Sequence, residues 1–135
     1  MSEVLSIAAI VVAVFLIGAA VERYRLRQFW NRRCTGVQWR RSFPKAPKAE
    51  IRCFLDMLLS AFAFSESKRL CFAPDDLIMA IYSALYPHPK VVSDSMELET
   101  FVMSVQDHYG VDLFPIWRDD ITLGELFSHA TNVAS

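Results

Sequence analysis

Glycine is scarce in this chain, with four among 135 residues, and none falls in a Gly-rich phosphate loop or a strand-turn-helix nucleophile elbow. That shortage argues against a nucleotide-binding enzyme. Cys34, Cys53 and Cys71 are odd in number and far apart, so they outline no disulfide framework, and no pair has zinc-ligand spacing. They read as reduced thiols. His88, His108 and His129 have no partner at ligand or catalytic spacing and read as solvated surface residues. The pairs Asp75-Asp76 and Asp119-Asp120 each precede an expected helix, where acids are favoured by the dipole alone. No catalytic residue and no metal site is therefore expected, and internal repeats and low-complexity tracts are absent.

Charge is also missing locally. From Val4 to Val21 there is no charged residue and only Ser6 interrupts the apolar run, which as a helix spans ~27 Å. This predicts a single transmembrane helix. Residues 23–52 carry ten of the fourteen Lys and Arg against one acid, Glu50, whereas 53–135 are acidic by eight charges. Bases directly after the apolar run place that side in the cytoplasm by the positive-inside rule, with the N-terminus outside. A cleaved signal peptide would want its bases before the run, and they follow it. Tyr24, Phe29, Trp30 and Trp39 among the arginines suit a membrane interface. Anionic headgroups account for the basic charge, so nucleic acid is not an expected partner.

The expected organisation is all-α. Residues 1–33 form the membrane helix and its basic extension, 34–47 a linker broken by Thr35-Gly36 and Phe43-Pro44-Lys45-Ala46-Pro47, and 48–135 a small helical bundle. Ile51, Phe54, Leu55, Leu58, Leu59 and Phe62 predict a helix over about 49–63. Pro74-Asp75-Asp76 is read as the first turn of a helix running to about Tyr86. Thr122 and Glu125 form a capping box for a closing helix that buries Leu123, Leu126, Phe127 and Ala130.

The stretch from Asp94 to Leu113 carries the functional expectation. Met96, Leu98, Phe101, Val102, Val105 and Tyr109 make a helical apolar stripe, Asp94 is a good N-cap with Glu97 three residues on, and Gly110 suits a left-handed C-terminal turn. Ser95 would be the first helical residue. Asp94-Ser95-Met96-Glu97 resembles the Asp-Ser-Leu-Asp motif of acyl carrier proteins, and Asp120-Ile121-Thr122-Leu123-Gly124-Glu125-Leu126-Phe127 resembles that family's closing helix. The similarity covers about residues 91–130. Tyr109 stands where the family usually has Phe, and the helix before Asp94 lies where the family has mainly a loop.

The resemblance implies a carrier rather than a catalyst. Ser95, beside Asp94, would hold 4′-phosphopantetheine bearing an acyl thioester. A phosphate is favoured at a helix N-terminus. Met96, Glu97, Glu99 and Asp107 would then meet the basic surfaces of partner enzymes or of a phosphopantetheinyl transferase. The alternative reading keeps the bundle as a protein-interaction module without a prosthetic group.

Overall fold

The computed structural model describes residues 2–85 and 96–134, in the order α1 (Ser2–Arg25), α2 (Arg27–Trp30), α3 (Gly36–Ser42), α4 (Lys48–Phe62), a 3₁₀ segment (Glu66–Cys71), α5 (Ile78–Leu85), α6 (Met96–Tyr109), a 3₁₀ turn (Phe114–Ile116) and α7 (Leu123–Ala134). The all-α expectation holds among the described residues, where the sole β feature is an isolated antiparallel bridge between Leu77 and Thr122.

α4 is the central element. Its apolar face buries the six residues that the helical spacing selects, from Ile51 to Phe62. It packs chiefly on α6, which contributes Phe101 and Val105. The helix stops because Ala63 adopts φ 56°, and the Phe64 N–H then donates to the Leu59 carbonyl at 2.9 Å, closing the last turn.

The Leu77–Thr122 bridge joins the entrances of α5 and α7. The Ile78 N–H donates to the Ile121 carbonyl at 3.1 Å, and the Leu123 N–H to the Asp76 carbonyl at 3.0 Å. One residue on, the Gly124 N–H donates to the Pro74 carbonyl at 2.8 Å, and a Cβ at 124 would lie 3.0 Å from that oxygen. Glycine is required here by close approach of backbone. Asp75 and Asp76 are consequently not a first turn of α5, which starts at Ile78.

Residues 26–43 differ most from the stalk and linker read in the sequence. Leu26, Phe29 and Trp39 are buried. Thr35, in the stretch read as a linker, donates its hydroxyl toward the carbonyls of Leu70 at 3.0 Å and Phe72 at 2.8 Å, and Trp39 Nε1 donates to the same Phe72 carbonyl at 2.8 Å. Arg32 makes a two-pronged ion pair with Asp76 at 2.6 and 2.9 Å, and Asp76 Oδ2 also accepts the Ala73 N–H at 2.7 Å. The rings expected at a membrane interface find aromatic partners instead. Phe29 and Trp30 meet Phe72, while Trp39 meets Phe43, Phe54 and Phe127. Edge-on and offset aromatic contacts of this kind add to the area they bury.

The expected single-pass membrane topology is corrected as well: among the described residues no helix is long and apolar enough to cross a membrane. The continuous exposed part of α1, residues 2–18, rises ~25 Å against a hydrocarbon core of about 30 Å. α1 contacts α2 and α5. The helix runs past Val21 through Arg23 but not on to Arg33 as one element, because α1 ends at Arg25 and buried Leu26 separates it from α2.

Two outcomes follow for stability. Asp76→Ala leaves the guanidinium and the Ala73 amide without their acceptor and is expected to cost about 3 kcal/mol in chemical denaturation, against ~1–2 kcal/mol for Arg32→Ala. Removing residues 1–20 takes away none of the core residues found among the described ones, so the melting temperature is expected to shift by less than about 4 °C, measured by far-UV circular dichroism.

Candidate functional site

α6 and the turn after it build an apolar groove. Gly110 takes φ 65° and reverses the chain, with the Val111 N–H donating to the Gln106 carbonyl at 3.2 Å and the Gln106 side-chain oxygen accepting the Leu113 N–H at 2.8 Å. Val111 and Leu113 are thereby buried. Asp112 Oδ1 accepts the Phe114 N–H at 3.1 Å, an Asx turn that starts the 3₁₀ segment. This puts Phe114, 75% exposed, and Trp117 opposite Leu98, Val102 and Met103 of α6, around a groove of about 270 Å³. Glu99 is the charged residue on its rim.

The expected site residues fall in different places. Asp94 and Ser95 lie outside the described residues. Met96 is the first residue of α6 and is 61% exposed. Glu99 and Asp107 are exposed and Glu97 is half-buried. With 3.6 residues per turn, Glu97 lies about half a turn of the helix away from the groove, and of the three acids Glu99 alone lines it. What the periodicity missed is the groove's second wall, since Phe114 and Trp117 sit outside any helical stripe. The available signal was an apolar ring beside Pro115 in an acidic loop.

Thr122 caps α7 as expected, its hydroxyl accepting the Glu125 N–H at 3.1 Å. Glu125 does not complete the box; its carboxylate instead pairs with Arg118, which also holds Asp120 at 3.0 Å. Asp120 and Asp76 are thus occupied by arginines. Among the described residues no group of three or more His, Cys, Asp or Glu could hold a metal ion. His108 is exposed, with Nε2 3.8 Å from Cys53 Sγ.

Tyr109, where the resemblance expects Phe, has a buried hydroxyl with no hydrogen-bond partner in the structure. Burial, reinforced by the charges of Glu50 and Cys53, pushes its pKa up to about 12 from the ordinary 10.0. The folded state therefore keeps a proton that the unfolded chain releases above pH 10, so this group removes stability as pH rises from 10 to 12. Tyr109→Phe is expected to be neutral or stabilising at pH 7 and to flatten the alkaline loss, measured by denaturant melts across that range. No protein-family model, no curated protein and no solved structure matches this chain.

Proposed function

We propose that this domain is a carrier of the acyl-carrier-protein type, in which Ser95 takes a phosphopantetheine arm and the groove beside α6 shelters the apolar part of what the arm bears. The observation that carries the reading is the groove's position. Its first wall residues, Leu98 and Glu99, lie one helical turn beyond Ser95 in sequence, and α6 begins at Met96. The order of elements follows the resemblance in a long helix (α4), a helix opening after the serine (α6), a short turn and a closing helix with Gly124, and departs from it in α5, which stands where the family has mainly a loop. Tyr109 agrees too, because a hydroxyl without a partner marks a position that an apolar ring fills.

The protein's part is presentation. Ser95 Oγ accepts the phosphopantetheine group, the groove removes apolar cargo from water, and the arm supplies the thioester chemistry.

A second reading keeps the groove and dispenses with the arm. It is favoured by Phe114, which stands 75% exposed at the groove's edge beside Glu99 and so offers a site for an amphipathic helix with basic flanks.

One measurement separates the two. The full chain, co-expressed with a phosphopantetheinyl transferase of broad specificity, is expected to gain one phosphopantetheine adduct by intact mass, and Ser95→Ala is expected to lose it. Absence of the adduct, or its survival in Ser95→Ala, would exclude the carrier reading and leave the interaction module.

A further inference from the structure

The bases of residues 23–52 are not all used in folding. Among the described residues, ion pairs engage Arg32, Arg69 and Arg118. Arg40, Lys48 and Arg52 take no part in them, and these three line one concavity of about 120 Å³ between α3 and the start of α4. No carboxylate lines it. Glu50, between Lys48 and Arg52 in the sequence of α4, is not among its lining residues.

The floor of this concavity is fixed. Trp39 and Ile51, which face it, are 1% and 5% exposed, and the indole is pinned through Nε1 to the Phe72 carbonyl. Arg40 follows Trp39 directly on α3. Lys48 and Arg52 are four residues apart on α4 and so share a face, an arrangement in which like charges repel. A third cation brought to the same place adds to that repulsion, and a bound anion relieves it.

We propose that this concavity is a binding site for the phosphate group of a small phosphorylated molecule, held by Arg40, Lys48 and Arg52. The concavity, about 120 Å³, is of a size for an anionic group rather than for a whole phosphorylated molecule, so the remainder of the ligand lies outside. Two guanidinium forks and an ammonium suit a doubly charged phosphate better than a single carboxylate. The site is independent of Ser95 and of the groove beside α6, and it stands whichever reading of those is correct.

Cys34 supplies the test, because its exposed thiol lines the same concavity while Cys53 and Cys71 lie outside it. The full chain is alkylated with neutral iodoacetamide and the rate at each cysteine is followed by peptide mass, with inorganic phosphate replacing chloride at constant ionic strength. Phosphate is expected to slow Cys34 severalfold and to leave Cys53 and Cys71 unchanged. The double variant Arg40→Gln/Arg52→Gln, its fold checked by far-UV circular dichroism, is expected to lose the protection. No slowing by phosphate, or slowing that persists in the double variant, would overturn the proposal. Protection that follows protein concentration rather than phosphate would overturn it equally, by assigning the bases to an acidic protein surface.

Discussion

The Phe72 carbonyl is the point on which the described structure turns. It accepts both the Thr35 hydroxyl and the Trp39 indole N–H, and Thr35 is fully buried there. A buried hydroxyl or indole left without an acceptor costs about 1–3 kcal/mol, so these bonds favour the ordering of segment 26–43 together with the connection around Phe72. Arg32 and Asp76 repeat the tie a few residues along. Asp76 then hands the constraint on: its side chain holds the Ala73 amide, and its carbonyl accepts the Leu123 N–H at the entrance of α7. A basic arm, a long connection and the closing helix thus become one packed unit.

This explains why a chain with few aromatic residues on the expected face of α4 still has a dense aromatic interior. Phe54 is in ring contact with Trp39 from the arm, Phe101 from α6 and Phe127 from α7. Four elements distant in sequence meet at one side chain. A second group, Phe29, Trp30, Phe64 and Phe72, is built on the same arm. Lys68 lies over the Trp30 ring at 5.0 Å from its centroid and lends that group a cationic rim.

The charge asymmetry keeps its meaning in a different form. What reads as a topology signal in sequence becomes, in three dimensions, one arginine spent on an internal ion pair and three bases collected at a concavity. The apolar groove lies elsewhere, along α6 and residues 113–117. The two surfaces have no lining residue in common, so a ligand of one does not compete directly for the other.

Helices α4, α6 and α7 were legible in the sequence because each writes its own period and its own stops: the α4 face from Ile51 to Phe62, Gly110 at positive φ, and Thr122 as a cap. These are local features, decided within a few residues. The sequence also singled out Ser95 by its place before α6, and it marked Gly124 through the closing motif without supplying the reason, which is the Pro74 backbone 3.0 Å from where a Cβ would stand. The destination of residues 26–43 was not legible. Arginines interleaved with aromatic rings after an apolar run have the same pattern whether the rings face lipid or other rings, and only the meeting of Thr35, Trp39 and Arg32 with a connection more than thirty residues away selects the second. The groove and the basic concavity are tertiary in the same sense: each is walled by segments whose side chains gain a common surface through packing, and no period along one helix records that.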